Sequence, residues 1–477
     1  MSSFSISKSL NKNRVFILQK SELEKRLDPF YYVPELVELE KKVLAQNPKK
    51  LREYVKYISS GATPKADEIE KYYATKENGK PFLRVQNLSP TGVLEFDDCK
   101  YINDETHNGM LNRSKVEEGD LLIKITGVGR MAVSSVAPKG FDGNINQHVC
   151  VIKTGSQEIS KTLSAYLNTD ICEKLASRRS TGGTRPALDY PALLSIPIIE
   201  DLRILEITEK VVQLKKQNET KAEELLASID EYLLNELGIT LPETPENTLK
   251  NRMFTTSLKE ISGGRFDPFY HQKYFHGLLL SIENSPFEKS ILGCHLSEIT
   301  YGASFNNEYV ISGIPLLRIK DLKRNEISID KVVFLPEMAR RFLGNCFVDT
   351  NDFLISRSGT VGVVSLVPKE VNGFAFGSFM IKFRLSEKAQ LLREYLSYYL
   401  NSSLLVKIIG RNKIGAIQGN ITIPTIKSLP IILPPLEKQK EIAEYITSIR
   451  EQAQKLKDET KLVLKLANQE IEKILLN

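Results

Sequence analysis

The chain has 477 residues, 41% hydrophobic and 26% charged, which is the balance of a globular protein and excludes a wholly disordered or fibrous one. A net charge of +6 permits nucleic-acid binding without requiring it. The five cysteines form no Cys-x-x-Cys pair and the histidines are scattered, which excludes a disulfide framework and a structural zinc site. With no signal-like or membrane-spanning apolar run, the expected location is the cytoplasm.

Along the chain, Asn13-Arg14-Val15-Phe16 precedes Asp28-Pro29-Phe30-Tyr31, which reads as a turn capped by the aspartate, with Phe30 and Tyr31 packed. Pro81-Phe82-Leu83-Arg84-Val85 and Gly119-Asp120-Leu121-Leu122-Ile123 are strand-like. The second run continues through Lys124 and Ile125 into the glycine loop Thr126-Gly127-Val128-Gly129-Arg130, then a further strand over Ala132-Val133-Ser134-Ser135-Val136. A helix is predicted from Leu163 to Ser177, followed by the basic loop Arg178-Arg179-Ser180-Thr181-Gly182-Gly183-Thr184-Arg185. From about Leu202 to Leu237 apolar residues recur at three-and-four spacing, and Gly238 ends that helix.

At Asn251 the order starts again. Asn251-Arg252-Met253-Phe254 repeats the first phrase at an offset of 238, and Asp267-Pro268-Phe269-Tyr270 the second at 239. Pro315-Leu316-Leu317-Arg318-Ile319 follows at 234, and Asn351-Asp352-Phe353-Leu354-Ile355 at 232. A second glycine loop, Arg357-Ser358-Gly359-Thr360-Val361-Gly362, a strand over Val363-Val364-Ser365-Leu366-Val367, a helix from Tyr395 to Lys407 and a loop from Arg411 to Asn420 come next. A final amphipathic helix runs from about Leu436 to Leu476, entered through Pro434-Pro435.

A repeat of this length is a whole domain and not a solenoid unit. The fold class is therefore α+β: two tandem mixed α/β domains related by pseudo-two-fold symmetry and bridged by two long helices. Each helix is longer than one domain core can cover, so the two should pair with each other, antiparallel, as a coiled-coil spacer. The polar residues Asn218 and Thr460 are expected in that seam, fixing its register.

Catalytic signatures are lacking. The Asp-Pro-Phe-Tyr phrases are similar to the Asp-Pro-Pro-Tyr signature of amino-methyltransferases, yet phenylalanine replaces the second proline in both, and no cofactor-binding glycine loop follows an N-terminal strand. The glycine loops lack the Gly-Lys-Ser/Thr ending of a phosphate-binding loop, and no nucleophile elbow or zincin motif is present. The loops instead carry Arg and Lys, suited to phosphate or guanine, and Asn and Gln, suited to adenine. The expected DNA contacts are Lys124, Arg130, Arg178, Arg179 and Arg185 in the first copy, and Arg357, Asn412, Lys413, Gln418 and Asn420 in the second. Gly182 and Gly415, 233 apart, keep step with the repeat while their neighbours differ, as two related readers of different sequences would. Arg84 and Arg318, at matched places, suit structural hydrogen bonding at least as well.

This organisation resembles a type I restriction-modification specificity subunit over nearly the whole chain. The likeness is carried by the paired Asp-Pro-Phe-Tyr phrases, by Pro315-Leu316-Leu317-Arg318-Ile319-Lys320-Asp321-Leu322, by Asp352-Phe353-Leu354-Ile355-Ser356-Arg357-Ser358-Gly359, by Leu429-Pro430 with Pro434-Pro435-Leu436-Glu437-Lys438-Gln439, and by the two helices. The resemblance implies target-recognition domains over 1–200 and 250–433 and spacer helices over 201–238 and 434–477. It also implies a non-catalytic subunit in which each domain reads one half of a split double-stranded DNA site. Two methyltransferase subunits, which would hold the S-adenosylmethionine, and restriction subunits would dock on the helices; this chain would need no cofactor. The first exit, Ile196-Pro197-Ile198-Ile199-Glu200-Asp201-Leu202, lacks the Pro-Pro-Leu-Glu-Lys-Gln phrase, and the central helix reads as the shorter one. A self-contained DNA adenine methyltransferase with a fused specificity region, or a protein-binding scaffold, are the other readings. Physically, a helix of about 36 residues extends roughly 54 Å, long enough to set the spacing of two recognition elements on a duplex.

Overall fold

The computed structural model describes residues 10–24, 26–65, 68–246, 248–261, 265–304, 308–413 and 419–476. The chain forms two compact units, residues 1–219 with 457–477 and residues 220–456.

In the first unit, α1 (Pro34–Leu44) precedes β1 (Tyr57–Ser60), β2 (Lys80–Leu83), β3 (Lys100–Ile102), β4 (Lys115–Glu117), β5 (Leu121–Lys124), β6 (Ser134–Val136), β7 (Asp142–Ile145) and β8 (Val149–Lys153). Then come α2 (Gln157–Leu167), α3 (Asp170–Arg179) and the long α4 (Leu202–Glu236). One antiparallel sheet has the order β1-β8-β5-β6, and a mixed sheet the order β3-β2-β7-β4 with β2 and β7 parallel. Strand β5 is apolar without alternation because both its faces are covered: Leu121 and Ile123 enter one core with Cys150 and Ile152, and Leu122 enters another with Val149 and Val151.

The second unit repeats this plan. Helix α5 (Lys273–Glu283) precedes β9 (Leu296–Tyr301), β10 (Ile314–Leu317), β11 (Val333–Leu335), β12 (Phe353–Ser356), β13 (Val364–Leu366), β14 (Ala375–Phe376) and β15 (Met380–Leu385). Helices α6 (Arg393–Leu400), α7 (Ser403–Arg411) and the long α8 (Leu436–Leu476) follow. The antiparallel sheet is β9-β15-β12-β13, and β11-β10-β14 is the mixed sheet, again with a parallel pair, β10 and β14. Phe353 and Ile355 of β12 face one core and Leu354 another, as in the first copy.

Two local expectations need correction. The helices predicted over Leu163 to Ser177 and Tyr395 to Lys407 are each two helices. Thr169 and Ser402 are extended and cap the second member, accepting from the backbone N–H of Cys172 and of Leu405, so the first helix cannot continue through them. The aspartates do cap their turns, with Asp28 accepting from Tyr31 N and Asp267 from Tyr270 N, but Phe30 is more than half exposed instead of packed.

Helix α4 spans 35 residues and α8 spans 41, and the division between the units falls inside both. In the first unit Ile204 shares a core with Ile471 and Leu475, and Asn218 Nδ2 donates to Thr460 Oγ1 at 3.1 Å, which fixes an antiparallel pair with the polar contact in its seam. In the second unit Glu236 pairs with Lys438, and the rings of Tyr232 and Tyr445 lie 4.0 Å apart, also antiparallel. Gly238, at φ +64, ends α4 in a left-handed turn where a Cβ would also crowd Pro286 at 2.8 Å.

Candidate nucleic-acid interface

Each unit brings its glycine loop and its basic loop side by side at the end of its central strand. In the first unit Ile125 N donates to His148 O at 3.0 Å, and Leu188 N donates to Ile125 O at 2.8 Å. Gly127 N donates to Pro186 O at 3.0 Å, while Thr181 and Ala187 exchange two backbone hydrogen bonds that close the basic loop. Gly127 and Gly182 sit at φ +126 and +93, a region that side-chain-bearing residues avoid. Arg185 is exposed on this surface. Beside it the His148 imidazole is held below its ordinary pKa, first by burial and then by the Arg185 charge.

The second unit has the same crossing. Ile421 N donates to Arg357 O at 3.0 Å, Arg357 N donates to Phe379 O at 2.9 Å, and Ser358 and Asn420 form a β-bridge. The Arg357 guanidinium lies over the Tyr301 ring, 4.7 Å from its centroid. A cavity of about 540 Å³ opens here, lined by Lys320, Lys323, Arg324, Ser358, Gly359 and Phe379 among others. Phe379 is 51% exposed.

Several expected DNA contacts are engaged internally. Lys124 is buried and its Nζ donates to Val128 O at 2.8 Å, so it braces the glycine loop from beneath, and burial lowers its pKa. Arg130 pairs with Asp170 at 2.5 Å. Arg178 and Arg179 are buried and share Glu40. Arg178 also donates from Nε to Tyr31 O at 2.7 Å, and Arg179 donates to Leu175 O at 3.0 Å. A buried cation needs such partners to offset desolvation, so Lys124, Arg178 and Arg179 belong to the scaffold of the loops, while Arg130 is half-buried with its guanidinium engaged by Asp170 and Asn168 O. Asn412 closes α7, donating to Ile408 O at 2.9 Å. Lys413 is exposed and Asn420 half-buried, whereas Gln418 and Gly415 lie outside the described residues. Arg318 holds its own turn through Asp321, and Arg84 ties its turn to Asp98 further along the chain.

The same scaffold gives the Asp-Pro-Phe-Tyr phrase a role. Asp28 accepts from Arg26 Nε at 2.8 Å, and the rest of that guanidinium donates to Arg179 O and Ser180 O at 2.7 and 2.8 Å. Asp267 likewise accepts from Arg265 Nε at 2.7 Å, and Arg265 donates to Lys413 O at 2.8 Å. In both copies the phrase thus orients an arginine that grips the backbone where the basic loop begins.

Sequence reasoning missed His148, Tyr301 and Phe379. They come from strand ends whose neighbourhood is set by pairing, and the repeat offset that aligns 148 with 379 was the one signal available for two of them. Among the described residues no group of His, Cys, Asp and Glu could hold a metal ion, and no helix is long and apolar enough to cross a membrane.

Two loops crossing on a mixed α/β frame, built twice with different side chains, define a duplicated two-unit protein. Residues 304–466 match the family described as Type I restriction modification DNA specificity domain. That likeness spans the greater part of the second copy of the repeat and most of the last helix. No curated protein matches it. Among solved structures, one described as showing complex assembly and conformational transition of the type I R-M system is 16% identical, covering 90% of this chain and 96% of that one with a TM-score of 0.46. The HsdS subunit from Thermoanaerobacter tengcongensis is 16% identical over 90% and 96%, with a TM-score of 0.33. The S subunit from M. genitalium is 12% identical over 90% and 94%, with a TM-score of 0.36.

Proposed function

We infer that the chain is a non-catalytic subunit whose two domains, over 1–200 and 250–433, each read one half of a bipartite double-stranded DNA site, with residues 201–238 and 434–477 as the spacer. The observation that carries this reading is the repeated loop crossing, alike in backbone and different in side chains. Two related surfaces with unlike chemistry suit two unlike half-sites. The residues best placed to meet DNA are Arg185 in the first unit and Arg357, Lys413 and Asn420 in the second, joined by Lys320, Lys323 and Arg324 at the cavity.

Two methyltransferase subunits, which would carry the S-adenosylmethionine, and restriction subunits dock in this reading on the outer faces of the helices. Leu462 and Leu466 support it, for they are more than half exposed one turn apart on α8, an apolar stripe of the kind a partner helix covers. A soluble cytoplasmic complex fits these roles.

The test combines the full chain with its methyltransferase partner. The chain alone should neither bind S-adenosylmethionine nor methylate DNA, and the mixture should methylate one split sequence. Replacing residues 13–200 with another recognition domain should change one half of that sequence alone. Methylation by the isolated chain, or a change in both halves, overturns the reading.

A further inference from the structure

At the two loop crossings nearly every arginine is satisfied from within. Arg130 has Asp170, Arg178 and Arg179 have Glu40, and Arg411 donates to Tyr270 O at 2.8 Å. Arg357 is different. Its Nε is buried without a hydrogen-bond partner, and among the described residues its guanidinium meets no carboxylate or carbonyl. Arg84 and Arg130 also have a buried Nε lacking a partner, but the rest of each guanidinium is engaged, by Asp98 and Asp170. Donors left unmade in this way cost free energy in the unliganded protein, which points to a ligand that completes them.

The fork is also aimed. Its guanidinium carbon sits over the Tyr301 ring, 4.7 Å from the centroid, and that ring is fixed because its hydroxyl accepts from Ile423 N at 3.1 Å. The Arg357 backbone is pinned on both sides, by Phe379 O and by Ile421 N. A phosphate can be met by a freely moving charge, whereas a guanidinium seated over a fixed ring on a pinned backbone suits a planar partner with two adjacent acceptors. In duplex DNA that partner is the major-groove edge of guanine, with O6 and N7. At an offset of 232 the first unit carries Ile125, an apolar and nearly buried residue.

We propose that Arg357 reads a guanine in the half-site of the second unit, with Tyr301 as its positioning residue, and that the first unit makes no such contact at the matching place. This rests on the reading of the chain as a two-domain DNA-specificity subunit. It narrows one half-site to a sequence with an obligatory G·C pair.

The experiment uses the full chain with its methyltransferase partner. Mapping of methylated sites should give a split sequence with an invariant guanine in one half. Replacing that guanine by 7-deazaguanine, which lacks the N7 acceptor, should lower methylation by about 10-fold to 100-fold. Arg357→Ala should accept any base pair there, leave the other half-site as stringent as before, and be indifferent to 7-deazaguanine. Tyr301→Leu should relax the same position in part, and Tyr301→Phe less. The measurement on wild-type protein stands even if a variant fails to fold. A split site with no guanine in either half, or indifference of the wild-type complex to 7-deazaguanine at every guanine, overturns the assignment to Arg357 and leaves the two-domain reading intact. So does an Arg357→Ala variant that loses affinity equally for all sequences with a smaller salt dependence, which marks a phosphate contact. Absence of any split site in the wild type overturns the two-domain reading itself.

Discussion

The guanidinium of Arg411 lies 4.0 Å from the centroid of the Tyr270 ring, and Arg178 keeps the same 4.0 Å from Tyr31. The duplicated turn thus preserves a cation over an aromatic face. The charge beneath it differs. Glu40 serves Arg178 and Arg179 in the first unit, but 239 positions on the residue is Leu279, and burial lowers the Arg411 pKa.

Glu40→Gln should therefore be strongly destabilising. It leaves two buried guanidinium groups without their carboxylate, a loss of about 3–5 kcal/mol for broken buried pairs. Arg411→Lys should cost less, about 1–3 kcal/mol, since a neutral carbonyl bond and a ring contact are lost and no charge is stranded. Urea unfolding of each variant compares the two. Equal losses would show that Glu40 contributes nothing special.

Arg185 should be readable through His148. Burial is the larger cause of the depressed imidazole pKa and the Arg185 charge the smaller, so Arg185→Ala should move the NMR titration of His148 upward only part of the way to 6.5. Because the folded pKa lies below the unfolded value, His148 leaves stability untouched above that value and subtracts from it as pH falls from about 6.5 toward the folded pKa. That acid loss should shrink in Arg185→Ala.

Lys413 and Arg185 are exposed cations at the loop crossings, so each should contribute to the salt dependence of DNA binding. Replacing either with alanine should reduce the slope of log affinity against log salt by about 0.9. Fluorescence anisotropy at several salt concentrations measures it. An unchanged slope with loss at one base pair would make the residue a base reader.

The spacer reading predicts a length rule. Seven residues inserted into both α4 and α8, at facing positions beside Asn218 and Thr460, add roughly 10 Å of helix, the rise of about three base pairs. The unread gap in the methylated sequence should widen by about that number. A gap that stays constant would detach the helices from the spacing of the site.

Periodicity and repetition made the helix pair legible. Asn218 and Thr460 stand out as polar residues in apolar stripes, and they meet. The breaks at Thr169 and Ser402 were harder to see, because an apolar stripe on either side of a cap looks continuous until the backbone is traced. The loop residues were least legible. Arg178 and Arg185 are seven residues apart in one basic run, yet one is buried and the other exposed.

The sequence by itself determined the duplication, the α+β class and the two amphipathic helices, since each is written in local order and spacing. Only the tertiary structure decided which cations face outward. That choice is made by distant partners, Glu40 for Arg178 and Tyr301 for Arg357, because the cost of burying a charge depends on what lies across from it in space and not on its neighbours along the chain.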